Sequence, residues 1–141
     1  MKERNCDSHT HSTFSDGTYT PEELVKESVE NGLSAIALTD HNTVAGLKEF
    51  SAAAKKYNVE YVQGTEFSTD YNGEEIHIVG LFLRERFFGQ ISEYIFFNKK
   101  AKERSNVETI ERLYAAGYSV DYDEIKADAG KAYINRVQIA E

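Results

Sequence analysis

The run Ser34-Ala35-Ile36-Ala37-Leu38-Thr39 constrains the fold of this chain more than any other segment. It is short, apolar on both parities and flanked by two stretches of helical periodicity, the pattern of a parallel strand buried on both faces. Such a strand needs neighbours, and residues 5–9 and 59–66 supply candidates before the first helix and after the second. The first helix starts at Thr20-Pro21-Glu22-Glu23, a capping box with proline at the first helical position. It carries Leu24, Val25 and Val29 as its apolar stripe and stops at Asn31-Gly32. The second, over 43–57, places Leu47, Phe50, Ala54 and Tyr57 at helical spacing. The order predicted is βαβαβ, an α/β class with a parallel sheet.

Beyond this unit, Tyr71-Asn72-Gly73-Glu74 is a tight-turn sequence that predicts pairing of 67–70 with 75–83. From 87 to 117 the pattern is mostly helical, and Asp121-Tyr122-Asp123-Glu124 opens another helix. We therefore divide the chain into residues 1–86 and a helical region, 87–141. The aromatic group Phe87, Phe88, Tyr94, Phe96 and Phe97 is expected to pack between that region and the α/β part rather than to stack a nucleobase.

A chain of 141 residues with 40% apolar content builds one domain with a real core, and a net charge of −8 argues against a groove for long nucleic acids. A small phosphorylated substrate stays open, because bound cations dominate the local field. No run is long enough to cross a bilayer. The single cysteine, Cys6, is expected as a buried packing residue, and with no leader-like segment before it the expected compartment is the cytoplasm.

Chemistry concentrates at the ends of the apolar runs. In Asp7-Ser8-His9-Thr10-His11 an H-x-H pair puts two imidazoles on one strand face, with Asp7 on the same parity. Further along stand Asp16, Thr39-Asp40-His41, Glu66 in Gly64-Thr65-Glu66, and His77 in Glu75-Ile76-His77-Ile78. In a parallel α/β sheet the loops after successive strands gather at the carboxyl edge. His9 and His11 fall at the end of the first strand, His41 at the end of the second and Glu66 at the end of the third, while Asp16 and His77 fold over the same place. This donor set exceeds one tetrahedral zinc and suits two or three divalent ions, with Mn²⁺ preferred and Zn²⁺, Fe²⁺ or Mg²⁺ as alternatives. Such clusters hydrolyse esters: a cation acidifies water and neutralises charge on a phosphoryl oxygen. Taken singly, each histidine reads as a surface or packing residue, the alternation over 75–79 also fits an exposed edge strand, and Asp16-Gly17 also fits a plain turn. Their joint placement favours a site.

The same motifs resemble the PHP family, the polymerase-and-histidinol-phosphatase metal-dependent phosphoesterases. Asp7-Ser8-His9-Thr10-His11-Ser12 is similar to its first motif, Asp16-Gly17 and Thr20-Pro21-Glu22 to the segment that follows, and Leu38-Thr39-Asp40-His41-Asn42-Thr43 to its second. Gly64-Thr65-Glu66-Phe67-Ser68 and Ile76-His77-Ile78-Val79-Gly80 resemble the third and fourth. Within the family the likeness is to the bacterial subgroup that removes the 3′-phosphate of nucleoside 3′,5′-bisphosphates and trims short oligoribonucleotides, with a helical insertion after the fourth motif. The resemblance implies the first part of a distorted TIM-like (β/α)7 barrel. It also implies His9 and His11 on one ion, Glu66 bridging to a second held also by His77, and Asp16 with His41 on a third. Asp7 and Asp40 would orient imidazoles from behind.

Arg136, in Ile134-Asn135-Arg136-Val137-Gln138-Ile139-Ala140, matches an Arg-x-His-x-Ala segment of the family that holds substrate phosphate, and otherwise reads as a solvated charge. Gln138 stands where that segment has histidine, which bears on substrate scope. Family members carry further ligands later in a longer chain, so this sequence is expected to be an N-terminal part that exposes sheet edges and self-associates. The implied substrate is a small phosphorylated nucleotide or short RNA, with no long nucleic acid and no membrane. Two other readings stay open: a phosphatase for another small monoester such as histidinol phosphate, and a non-catalytic metal-binding module.

Overall fold

The computed structural model describes residues 4–72 and 74–129. Strands β1 (Cys6–Thr10), β2 (Ala35–Leu38) and β3 (Glu60–Gln63) pair in parallel in the order β1-β2-β3, with helices α1 (Pro21–Glu30) and α2 (Leu47–Tyr57) between them in the chain. The central position of β2 follows from its composition, since Ile36, Ala37 and Leu38 are buried. Helix α1 begins as its capping box requires: the Glu23 N–H donates to Thr20 Oγ1 at 3.2 Å, and the Thr20 N–H to the Glu23 carboxylate at 2.9 Å. It ends at Gly32, whose φ of 71° is the left-handed stop expected of Asn31-Gly32.

The inward face of α1 differs from the expected stripe. Val25 is fully buried, but Val29 is exposed and Ser28 takes the inner position, with its hydroxyl donating to the Val25 carbonyl. Helix α2 starts at Leu47 rather than at residue 43, because 43–46 form a turn in which the Ala45 N–H donates to Thr43 Oγ1. Val25, Leu38, Leu47 and Phe50 centre the core, each side chain worth about 1.5–3 kcal/mol when taken out of water.

Two departures from regular strands shape the rim where the chemistry lies. Cys6 and Asp7 pair with Ala35 and Ile36, but Thr10 pairs with Leu38, so β1 takes one residue more than β2 between those rungs. That bulge breaks the parity linking Asp7 to His9. The second departure concerns the expected third strand, 59–66. It stops at Gln63, and the chain passes through Gly64 into a new strand, β4 (Thr65–Tyr71). A Cβ at Gly64 would lie 2.8 Å from both the Gly80 carbonyl oxygen and Thr39 Cγ2, so only glycine fits at the step. Glu66 therefore belongs to β4 and not to the end of β3. It stays beside the second strand's exit through a single parallel bridge to His41.

Strand β4 pairs antiparallel with β5 (Glu74–Gly80) from Thr65↔Gly80 to Tyr71↔Glu74, and Asn72 enters the turn at φ 55°. A 3₁₀ turn at Glu85–Phe87 leads into α3 (Phe88–Ala115), 28 residues and about 42 Å long. Helix α4 (Tyr122–Ala129) follows, with Asp121 Oδ1 accepting from the Asp123 N–H at 2.9 Å. Of the aromatic group expected to be core, only Phe88 is buried. Phe87, Tyr94, Phe96 and Phe97 are exposed, since α3 meets the α/β part chiefly through its first turns. Cys6 is likewise exposed, because β1 is an edge of the three-stranded sheet. Among the described residues no helix is long and apolar enough to cross a membrane.

Candidate metal centre

The Glu66 side chain, only 7% exposed, is the hub of the carboxyl rim. Its Oε2 lies 2.6 Å from His9 Nε2, 3.2 Å from His11 Nε2 and 3.7 Å from His41 Nδ1, and its Oε1 lies 2.9 Å from His77 Nδ1. Asp16 faces it across two of these rings, with carboxylate oxygens 3.4 Å from His11 Nδ1 and 3.6 Å from His41 Nε2. His11 and His41 thus stand between two carboxylates, one ring nitrogen toward each. The four rings succeed one another around Glu66, with centroids 5.0 Å apart for His9 and His11, 4.5 Å for His11 and His41, and 4.9 Å for His41 and His77.

Three overlapping donor groups result: His9, His11 and Glu66; His11, Asp16 and His41; His41, Glu66 and His77. Within each group one ligand atom per residue lies within 4.8 Å of the others. The structure so brings together all six residues singled out in the sequence. Imidazole nitrogen and carboxylate oxygen in this mixture suit borderline divalent cations.

Protonation points the same way. Burial lowers the pKa of His41 from its ordinary 6.5 against the raising influence of Glu66 and Asp16, which favours the neutral ring with a free lone pair. For Glu66 burial acts upward, but the hydrogen bond from His9 and the electrostatic influence of the neighbouring imidazoles outweigh it. Its pKa falls below the ordinary 4.5 and the group is a carboxylate at neutral pH.

Asp40 and Asp7 reach the rings through the segments that carry them, and Asp40 also through the Ser15 hydroxyl, which lies 3.4 Å from His11 Nδ1. Buried Asp40 accepts from the Ser12 N–H (2.6 Å), the Ser12 hydroxyl (2.7 Å) and the Ser15 hydroxyl (2.8 Å), which pins the loop carrying His11 and Asp16. Asp7 Oδ1 accepts from the His9 N–H at 3.1 Å, across the bulge. Gly17 closes the same loop so tightly that a Cβ there would lie 2.1 Å from the His11 carbonyl oxygen.

Hydroxyls complete the frame, donating from Thr39 to the Thr10 carbonyl (3.0 Å) and from Thr65 to the Asp40 carbonyl (2.8 Å). These supporting residues escaped the sequence reading. Their one signal there is position, because Ser12, Ser15 and Thr65 each adjoin a donor residue. Arg136 and Gln138 lie outside the described residues.

Four imidazoles and two carboxylates thus converge at the rim of an α/β sheet, a donor set that could hold divalent cations. The model of the PHP domain matches residues 7–133, and the chain belongs to the PHP family. It is 39% identical over 124 residues to a 5′-3′ exoribonuclease of Haemophilus influenzae, an alignment covering 88% of this chain and 45% of the relative. It is also 39% identical over 77 residues to a 3′,5′-nucleoside bisphosphate phosphatase of Chromobacterium violaceum, covering 55% of this chain and 27% of the relative. Among solved structures, one assigned as a metal-dependent phosphoesterase of Bifidobacterium adolescentis superposes with a TM-score of 0.75 at 28% identity, covering 97% of this chain and 48% of that one. The chain spans less than half the length of these relatives.

Proposed function

We propose that this chain carries the metal-ion centre of a phosphoesterase that removes phosphate from small nucleotides, the 3′-phosphate of nucleoside 3′,5′-bisphosphates first among them, and that also acts on short oligoribonucleotides. The observation that supports this most is the sharing of His11, His41 and Glu66 among three donor groups, an arrangement suited to two or three adjacent cations. In this reading His9 and His11 would hold one ion, Glu66 with His77 a second, and Asp16 with His41 a third, with Mn²⁺ the preferred metal. Such cations supply acidified water and neutralise the phosphoryl oxygens.

The chain's own residues do the rest. Buried Glu66 and neutral His41 present lone pairs without first losing a proton. Asp40 and Asp7 fix the backbone that aims the rings. Asp16, half-exposed, leaves the centre open to solvent on its side. An acidic chain of net charge −8 repels phosphate, so recognition of a bisphosphate falls to the cations and to Arg136. The names of the relatives from Haemophilus influenzae and Chromobacterium violaceum favour nucleotide substrates over histidinol phosphate. We further infer that the βαβαβ unit begins a distorted TIM-like (β/α)7 barrel, that residues 87–141 are a helical insertion, and that the protein works in the cytoplasm.

The test is phosphate release with Mn²⁺ from a nucleoside 3′,5′-bisphosphate, a nucleoside 3′-monophosphate and histidinol phosphate, by the protein and by Glu66→Ala. Release fastest from the bisphosphate and abolished in Glu66→Ala is expected. Release that survives Glu66→Ala, or that is fastest from histidinol phosphate, contradicts the proposal.

A further inference from the structure

His41 and Glu66 meet through one parallel bridge, in which the Glu66 N–H donates to the Asp40 carbonyl (3.2 Å) and the Asn42 N–H to the Glu66 carbonyl (2.9 Å). A parallel ladder carried one rung further would have the Ser68 N–H donate to the main-chain carbonyl of Asn42. Asn42 sits at φ 49°, in the left-handed region, and turns the main chain away from that position. Its side chain makes the rung instead. Asn42 Oδ1 accepts from the Ser68 N–H at 3.0 Å, and Asn42 Nδ2 donates to the Ser68 hydroxyl at 2.9 Å. A main-chain N–H only donates, so the amide has one orientation that satisfies both partners.

The contacts on either side of this pair are the centre's own. Asn42 directly follows His41, Ser68 lies two residues beyond Glu66 on the same face of β4, and Ser68 is paired with His77 in β5. The whole third donor group therefore hangs on elements that this one amide joins. Asparagine suits the place on two counts: it tolerates positive φ, and its carboxamide reproduces the donor and acceptor of a peptide group.

We propose that Asn42 is a positioning residue of the metal centre, a side-chain rung that locks the exit of β2 to β4 and holds His41, Glu66 and His77 at ligand distance from one another. The inference rests on the metal-centre reading given above. Glycine at this position keeps the backbone conformation and removes the rung. Aspartate keeps both the tolerance of positive φ and the acceptor for the Ser68 N–H, and it accepts the Ser68 hydroxyl proton in place of donating to it.

The experiment is calorimetric titration with Mn²⁺ of the whole chain and of Asn42→Gly, Asn42→Asp and Glu66→Ala, each below its own melting temperature, with amide hydrogen exchange at Ser68 as a second readout. Asn42→Gly is expected to weaken Mn²⁺ binding by about 10–100-fold and to speed exchange at Ser68, while Asn42→Asp retains most of the affinity. Asn42→Gly that binds Mn²⁺ as the parent does, while Glu66→Ala does not, overturns the positioning role and leaves the centre standing. Equal losses in Asn42→Gly and Asn42→Asp also overturn it, since a rung that aspartate can rebuild would then not be the cause. A parent chain that takes up no Mn²⁺ overturns the metal-centre reading and the positioning role together.

Discussion

Residues 4–83 and residues 84–129 hold themselves together in different ways. In the first region nearly every element is tied to another by a bond from a side chain: Asp40 to Ser12 and Ser15, Thr65 to the Asp40 carbonyl, Thr39 to the Thr10 carbonyl, Asn42 to Ser68. In the second, α3 runs for 28 residues on its own i→i−4 ladder and reaches the core chiefly through Phe88 and Ile91. Along its further course Ile95, Asn106 and Ile110 are buried but lie outside the main core cluster, while Tyr94, Phe96, Phe97 and Tyr114 are exposed. Six donor side chains can be held to ångström tolerance only where several elements constrain one another, so the centre stands in the first region. A change of equal size should therefore cost far more there than on α3.

Phe50→Ala gives the largest expected effect. Its ring is fully buried between α2 and the sheet, and truncation should cost about 3–5 kcal/mol in urea unfolding. Gly64→Ala should come next. The new Cβ collides with the Gly80 carbonyl and with Thr39, and the expected loss is about 1–3 kcal/mol together with weakened ion binding, as Glu66 is pushed off its bridge. A normal melt and normal ion uptake in Gly64→Ala would show the rim to be more yielding than its contacts suggest. On α3, Phe97→Ala should change stability by less than about 0.5 kcal/mol and leave ion binding untouched. A large loss there would erase the contrast between the two regions.

The smallest effect is expected from Glu22→Gln, which removes the charge from the surface link between α1 and α2. Glu22 accepts from Lys56 Nζ at 2.8 Å and from the Tyr57 hydroxyl at 3.0 Å. The hydrogen bond from Lys56 lowers the Glu22 pKa below its ordinary 4.5, so the contribution is present above that pH and is lost as pH falls through the folded value. The same bond raises the Lys56 pKa above 10.5, so on that side the contribution fades as pH climbs through the raised value. Melting curves of parent and variant should differ slightly between these limits and converge in acid. A gap that widens in acid would contradict the assignment.

Much of the α/β region is legible in the sequence because its signals are local. The Thr20 capping box, the Gly32 stop, the apolar run of β2 and the Asn72 turn each specify their own backbone. The donor residues are legible because they sit where those runs end. What escapes is set by contacts distant in sequence. Glu66 reads as the end of the third strand, but the Gly64 step depends on Gly80 and Thr39, which no local pattern reveals. The β1 bulge, which parts Asp7 from the parity of His9, is visible only against β2. Asn42 reads as loop, and its rung exists only once β4 lies beside it. On α3 the aromatic residues have the composition of a core, yet burial depends on what lies opposite, and helical periodicity does not say what that is.

His9, His11, Asp16, His41, Glu66 and His77 are expected to act as one multi-ion centre with Glu66 at its hub. Elemental analysis of the purified chain after Mn²⁺ loading, beside Glu66→Ala and His9→Ala, tests it most directly. More than one ion per chain is predicted in the parent, with the steepest loss in Glu66→Ala and a partial loss in His9→Ala. A parent that stays metal-free, or a Glu66→Ala chain that retains every ion, would contradict the account.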